Sequence, residues 1–226
     1  TYPKDTVRRR ILVWFKRGRG KGEPVWRRYL APLEKAGVTP AYSPPALLPV
    51  SGRGVPGAIV LAPGAGRPTK QWPASKFAKL AHILLEEFPD RSLVLAGGPG
   101  EDALIARIDP GGTERVQALV GAPFSGLAAH LRDAALVISN DSGILHFAEA
   151  VGTPVIALFG PTTKELGFAP AGTRSTRIEK DLACRPCSLH GSDTCPLPDR
   201  SHRCMEDISV EEVLAAVRET AGGPAL

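Results

Sequence analysis

From Ala58 onward, short apolar runs alternate with segments whose apolar residues recur at helical spacing. The runs Ala58–Ala62, Ser92–Ala96, Val116–Val120, Ala135–Ser139 and Val155–Phe159 predict five strands. Between the first two, Ser75 stands at an N-cap position and Phe77, Leu80, Ala81, Leu84, Leu85 and Phe88 line one helical face. Helices are also expected over Glu101–Ile108, Leu127–Arg132 and Gly143–Ala150. Strand–helix alternation of this kind predicts βαβ units with right-handed crossovers, giving an α/β, Rossmann-like, doubly wound parallel sheet.

The flanks carry weaker patterns. Arg27–Ala36 reads as a helix, and residues 36–57 hold Pro40, Pro44, Pro45, Pro49, Gly52, Gly54, Pro56 and Gly57, the composition of a linker. Residues 1–57 are therefore set apart from a main domain over 58–226. Within that domain, 181–205 is a Cys-containing loop, and Val210, Val213, Leu214 and Val217 mark a final helix. There is no repeat of solenoid type.

Charge changes the picture in one place. Residues 1–35 hold 11 Lys and Arg against 3 Asp and Glu, whereas the remainder holds 17 against 20. Mixed with Val7, Ile11, Leu12, Val13, Trp14 and Phe15, this basic stretch reads either as a peripheral contact with an anionic membrane or as the solvated face of a linker or incomplete element. Aromatic residues make up 6% of the chain and the basic run carries no base-stacking platform of interleaved aromatics, so no nucleic-acid partner is expected. No apolar run approaches the ~20 residues of a membrane-spanning helix. A cytoplasmic protein is expected, and a first residue of Thr1 instead of Met is read as a cut or processed start.

In a doubly wound sheet the ligand lies beyond the carboxyl ends of the strands, where their order reverses. With the order 3-2-1-4-5, that crevice is walled by 63–72 and 140–146. The first wall combines Gly64 and Gly66, which let backbone approach a ligand, with a Thr69 hydroxyl and a Lys70 ammonium suited to phosphate oxygens. It lacks the Walker order, and a polar turn with an exposed Lys is the competing reading. The second wall, Asn140-Asp141-Ser142-Gly143-Ile144-Leu145-His146, runs from a strand into a helix whose free N–H groups at Ser142 and Gly143 form a seat for a diphosphate. Asp141 either caps that helix or accepts hydrogen bonds from sugar hydroxyls, and His146 either points back to the ligand or packs structurally. Gly97-Gly98-Pro99-Gly100-Glu101 lacks the dinucleotide fingerprint, although Glu101 is placed to border a nucleoside. A Rossmann oxidoreductase is thereby disfavoured.

Taken together, Pro63-Gly64-Ala65 with Thr69-Lys70-x-Trp72-Pro73, then Leu95-x-Gly97-Gly98-x-x-Glu101, Ser139-Asn140-Asp141-Ser142-Gly143-x-x-His146 and Gly152-Thr153-Pro154-Val155-x-Ala157-Leu158-Phe159-Gly160-Pro161-Thr162 resemble glycosyltransferase family 9, the ADP-heptose:lipopolysaccharide heptosyltransferases. The resemblance implies the C-terminal, nucleotide-sugar-binding half of a GT-B fold and an inverting transfer from ADP-heptose to a lipopolysaccharide-type acceptor. It also implies work in the cytoplasm or at the periphery of the inner membrane. It puts Thr69 and Lys70 on the donor phosphates, Asp141 on the sugar, Ser142, Gly143 and His146 at the diphosphate, and Pro161-Thr162 at the rim. Lys70 would neutralise the leaving group, so catalysis requires no metal cofactor. The base that deprotonates the acceptor is carried by the family in an N-terminal Gly-Asp loop, has no counterpart before the linker, and stays unassigned. The segment before residue 58 then reads as the remnant of that other domain, in a fragment or shortened relative. The alternative is a non-catalytic nucleotide-binding module that has lost its acceptor domain.

All four cysteines, Cys184, Cys187, Cys195 and Cys204, fall in the 181–205 loop. Such clustering makes them candidate ligands of a structural zinc, with His190 and His202 as substitutes, while buried thiols or redox-sensitive pairs remain the other reading.

Overall fold

The structure is a computed structural model and describes residues 4–16, 20, 22–40, 43, 45–47 and 50–221. Thr1 and the linker residues Pro44 and Pro49 lie outside these. Six parallel strands form one sheet in the order β3-β2-β1-β4-β5-β6. They are β1 (Ile59–Ala62), β2 (Leu93–Gly97), β3 (Val116–Val120), β4 (Leu136–Asn140), β5 (Val155–Phe159) and β6 (Ser175–Glu179). The helices are α1 (Thr6–Phe15), α2 (Val25–Lys35), α3 (Ala74–Glu87), α4 (Asp102–Ala106), α5 (Phe124–Asp133), α6 (Gly143–Ala150), α7 (Arg203–Glu206) and α8 (Val210–Ala221).

Strands β1, β2, β4 and β5 are buried along their whole length, because helices cover both faces of the sheet. That double burial explains why they read as unbroken apolar runs. Alternate residues feed two cores. Ile59, Leu61, Leu93, Leu95, Ile138 and Leu158 pack under α3 and α8, whereas Val60, Ala62, Val94, Val137, Ala157 and Phe159 pack under α5 and α6. In α3, Phe77, Leu80, Ala81 and Leu84 form the buried stripe, and Val210, Val213, Leu214 and Val217 do the same in α8. Trp72 sits between these helices, with its indole N–H donated to Ile208 O at 3.0 Å and its ring edge-on to Phe77 at 4.9 Å. Burying each such side chain contributes about 1.5–3 kcal/mol.

The sequence reading misses three elements, the shortest being α7 at the end of the Cys-containing loop. β6 contains one apolar residue, Ile178, in Ser175-Thr176-Arg177-Ile178-Glu179, because an edge strand is half solvated and needs no apolar run. α1 is a helix from Thr6 to Phe15, where the charge pattern pointed to a linker or an incomplete element. Its Leu12 is fully buried, but Val7, Trp14 and Phe15 are mostly exposed. α2 docks onto the main domain through Val25 N–H, which donates to Gly167 O at 2.9 Å.

Candidate functional site

The strand order reverses between β1 and β4, and the two expected walls meet there. Asn140, the last residue of β4, ties them together. Its side-chain amide donates to Pro63 O at 2.7 Å, and its Oδ1 accepts Trp72 N–H at 3.1 Å. A fully buried amide with both ends satisfied holds the β1 loop against β4.

On this base, Lys70 Nζ stands 2.7 Å from Asp141 Oδ2, with the side chains 13% and 4% exposed. The Thr162 hydroxyl donates to the same oxygen at 2.6 Å. Lys70 and Asp141 therefore form an ion pair across the crevice, and Asp141 Oδ1 is left without a protein donor among the described residues. Asp141 does not cap α6, whose N-cap is Ser142 with no side-chain capping bond. The Ser142 hydroxyl lies 3.1 Å from that of Ser139. The first-turn N–H groups of α6 thus face the crevice uncapped. A Cβ on Gly143 or Gly66 would meet no atom within 4 Å, so backbone at both positions is open to a ligand. Gly64 differs from the expectation: a Cβ there would lie 2.3 Å from a Glu101 carboxylate oxygen, so its smallness serves packing against Glu101.

Three more expected positions are corrected. The Thr69 hydroxyl turns away from the crevice, donating to Ser192 O at 2.7 Å and accepting Ser192 N–H at 2.8 Å. With Thr69 4% exposed and its hydroxyl already bonded, it is a brace. Pro161 and Thr162 are buried instead of lying at the rim, because Thr162 supports Asp141 from beneath and Pro161 O receives Cys187 N–H at 3.0 Å. The Cys-containing loop thus clamps the first wall. Gly191, at φ +85°, brings its backbone against Arg67 and the Lys70 stem, and His202 Nε2 lies 2.6 Å from Thr69 O. Arg185, 3% exposed, anchors the loop on Gly160 O, Thr162 O at 2.8 Å and Glu179 Oε2 at 2.7 Å.

The four cysteines are free thiols that line one narrow void with His202. Among the described residues, no three His, Cys, Asp or Glu side chains are grouped so as to hold a metal ion, and the candidate zinc site is not formed by this geometry. Burial, together with the neighbouring cysteines, raises Cys187 above the usual thiol range and pushes Cys204 up to about 12, so these groups stay protonated at neutral pH.

The crevice opens in two directions from Gly66, Ser142, Gly143 and His146. The polar branch, about 340 Å³, contains Arg67, Lys70, Asp141, Phe168 and His190. The apolar branch, about 690 Å³, is walled by Leu47, Glu101, Phe124, Leu127, Ile144 and Phe147. Phe124 is 69% exposed and stacks on Phe147 with centroids 4.1 Å apart. Glu101 Oε2 accepts Gly98 N–H at 2.7 Å, fixing the carboxylate at the cleft. His146 is half exposed in both branches, and its Nδ1 lies 3.7 Å from Glu149 Oε2. Burial alone would raise the Glu149 pKa, but hydrogen bonds from His146, Gly172 N–H and Ser175 outweigh it and leave the carboxyl below its ordinary range. The sequence reading did not single out Phe124, Asn140 or Arg185. An aromatic residue at a helix start carries no motif, whereas Asn140 lies inside the Ser139–His146 motif and its role as a tie between the walls depends on partners distant in sequence.

Residues 46–196 match the model of glycosyltransferase family 9 (heptosyltransferase). A lipooligosaccharide heptosyltransferase 2 from Campylobacter jejuni is 31% identical over 165 residues, covering 70% of this chain and 50% of the relative. The crystal structure of a family 9 glycosyl transferase from Veillonella parvula superposes with a TM-score of 0.69 at 21% identity, covering 89% of this chain and 60% of that one. The Escherichia coli heptosyltransferase WaaC, solved with ADP-2-deoxy-2-fluoro heptose, gives 0.60 at 20% identity, covering 86% and 55%. The chain spans about half the length of the curated relatives it matches. The six-stranded parallel sheet is thus the fold shared with one half of these enzymes. The chain belongs to glycosyltransferase family 9, the heptosyltransferase family.

Proposed function

We propose that this chain is the donor-binding half of an inverting glycosyltransferase that uses a nucleoside-diphospho-sugar, with ADP-heptose as the donor and a lipopolysaccharide-type sugar as the acceptor. The observation that carries the reading is the union at one switch point of a balanced Lys70–Asp141 pair, an uncapped α6 N-terminus and an apolar cleft. A diphosphate has charge for Lys70 and N–H donors at Ser142 and Gly143. The flat base fits the apolar branch beside Phe124, and Glu101 faces the ribose hydroxyls. Asp141 Oδ1 accepts from the sugar. As the nucleoside diphosphate departs, Lys70 stabilises the charge that develops on it, which is electrostatic catalysis supplied by a side chain. His146, in both branches, lies where the diphosphate passes between them. No residue of this chain is assigned as the base.

Residues 58–221 form the donor unit in this reading, with α1 and α2 as a separate element docked upon it. Among the described residues no helix is long and apolar enough to cross a membrane. Cytoplasmic work with peripheral contact at the inner membrane is proposed from the basic, partly apolar surface of α1, where Val7 and Trp14 are exposed. The rival reading, a binding module without transfer, is not favoured, since the matched relatives are named heptosyltransferases.

Calorimetric titration with ADP, UDP and ADP-heptose tests the proposal. Saturable binding of ADP and tighter binding of ADP-heptose are expected, both weakened in Lys70→Met. A folded chain that binds UDP as tightly as ADP, or none of the three, overturns the assignment.

A further inference from the structure

Glu149 follows His146 by three residues, so the two side chains share one face of α6. Its carboxylate is 10% exposed and stands in the last turn of the helix, where the helix dipole and burial both disfavour a negative charge. Such a group needs partners, and the turn that opens β6 supplies them. Oε1 accepts Gly172 N–H at 2.7 Å and the Ser175 hydroxyl at 2.9 Å. Ser175 N–H donates in turn to Gly172 O at 3.2 Å, and a Cβ on Gly172 would lie 3.1 Å from Oε1. The turn is thus closed around one oxygen of Glu149. Oε2 is left for His146, whose Nδ1 stands at ion-pair distance, 3.7 Å away.

His146 lines both branches of the crevice and Glu149 lines neither, so the carboxylate reaches a ligand only through that ring. The other charged or titratable groups around the two branches are Arg67, Lys70, Glu101, Asp141 and His190. Among the described residues His146 pairs with Glu149 and with none of these. An ionised carboxylate accepts hydrogen bonds and cannot donate one, so the ring nitrogen that faces it carries a proton. With Nδ1–H turned to Oε2, Nε2 is the nitrogen left for the crevice, and a second proton on the ring sits there. An imidazolium held in this way presents its charge to an anion, with its counter-charge behind it.

We propose that Glu149 is a positioning residue, which fixes the Nδ1 proton of His146, directs Nε2 into the crevice and keeps the charge of the ring available to the diphosphate. The turn over 172–175 sets the carboxylate, so the edge of the sheet takes part in donor capture. The contact with the diphosphate rests on the donor reading above, whereas the pairing of carboxylate and ring stands on the geometry of α6 and β6. If Glu149 only tied α6 to that turn, Gln would serve as well. Removing a negative charge beside an anion site would then leave ADP binding equal or tighter.

The test combines NMR of the imidazole nitrogens with calorimetric titration of ADP, both on the intact chain. In Glu149→Gln the side-chain oxygen still accepts Gly172 N–H, so the amide nitrogen faces Nδ1 and donates to it. Neutral His146 should therefore carry its proton on Nδ1 in the parent and on Nε2 in Glu149→Gln, its signal being assigned by its loss from His146→Ala. ADP binding should weaken about fivefold in Glu149→Gln, the worth of one hydrogen bond. The same substitution made in His146→Ala should change ADP binding less than about twofold, the non-additivity of a residue that acts through another. Ser175→Ala, which removes one donor from Oε1, should weaken ADP by a smaller factor and serves if Glu149→Gln does not fold. One tautomer in both proteins, equal or tighter ADP binding in Glu149→Gln, or a loss that persists in His146→Ala refutes the positioning role. A parent that binds no ADP but shows the exchange of tautomer upholds the pairing and sinks the donor reading.

Discussion

Lys70→Met separates what the ion pair does for the fold from what it does for the ligand. The change leaves the Asp141 carboxylate, 4% exposed, with the Thr162 hydroxyl on Oδ2. Removing one partner of a fully buried pair costs about 3–5 kcal/mol. Lys70 is 13% exposed, so water shares part of its solvation and the expected loss is about 2–3 kcal/mol. In a chain of 226 residues this lowers Tm by roughly 5–10 °C. Asp141→Asn alone should cost less, about 1–2 kcal/mol, because the ammonium it abandons reaches solvent more easily. The double variant is then more stable than the sum predicts, by about 1–2 kcal/mol. Urea unfolding of the four proteins gives the stability cycle, and calorimetry with ADP and ADP-heptose gives the binding one. Lys70→Met should weaken ADP about tenfold to a hundredfold, the worth of a charge-assisted contact. Asp141→Asn frees Lys70 for phosphate, so it should bind ADP at least as well as the parent while losing the preference for ADP-heptose. Stabilities that add within about 0.5 kcal/mol would show the 2.7 Å pair to be energetically idle. ADP affinity unchanged in Lys70→Met would make Lys70 a brace, and the phosphate assignment would fall.

Phe124→Ala should hardly alter stability, since the ring is 69% exposed, yet weaken nucleotide binding by about 1–3 kcal/mol, the worth of one stacked base; equal ADP affinity in the two proteins would remove the base from this cleft. Glu149 has a folded-state pKa below its ordinary 4.5, so it contributes stability that is present above that value and is lost as pH falls through the lowered one. Urea midpoints of Glu149→Gln should therefore fall less steeply in acid than those of the parent, and parallel curves would contradict the assignment. Cys204 is held protonated to about pH 12, so a thiolate-selective disulfide reagent at neutral pH should label the less buried Cys184 and Cys195 before it, as read by mass spectrometry. The same shift predicts stability fully present below the ordinary thiol pKa of 9 and lost as pH rises from there towards 12, with a shallower alkaline loss in Cys204→Ala.

How much of this was legible in the chain follows from where each constraint lies. β1, β2, β4 and β5 are sandwiched between helices, so nearly every position short of the site end of β4 is apolar and the runs stand out; β6 lies at the edge, where Arg177 and Glu179 pair with each other 2.7 Å apart and no run forms. The reversal of strand order selected both walls of the crevice before any contact was known, because it depends on connectivity alone. Side-chain direction depends instead on partners distant in sequence, and the local reading fails there. Thr69 is a hydroxyl beside a cation and reads as a phosphate ligand, until Ser192, 123 residues later, supplies both of its hydrogen bonds. By sequence Lys70 and Asp141 read as contacts to different parts of one ligand, and the fold makes them contacts to each other. In the proposed donor site, a diphosphate would therefore compete with a carboxylate that already holds the ammonium. Charge alone would then gain little on binding, and under the proposed function selectivity would fall to the groups that the pair leaves open: the α6 N–H donors, Asp141 Oδ1 and the Phe124 face.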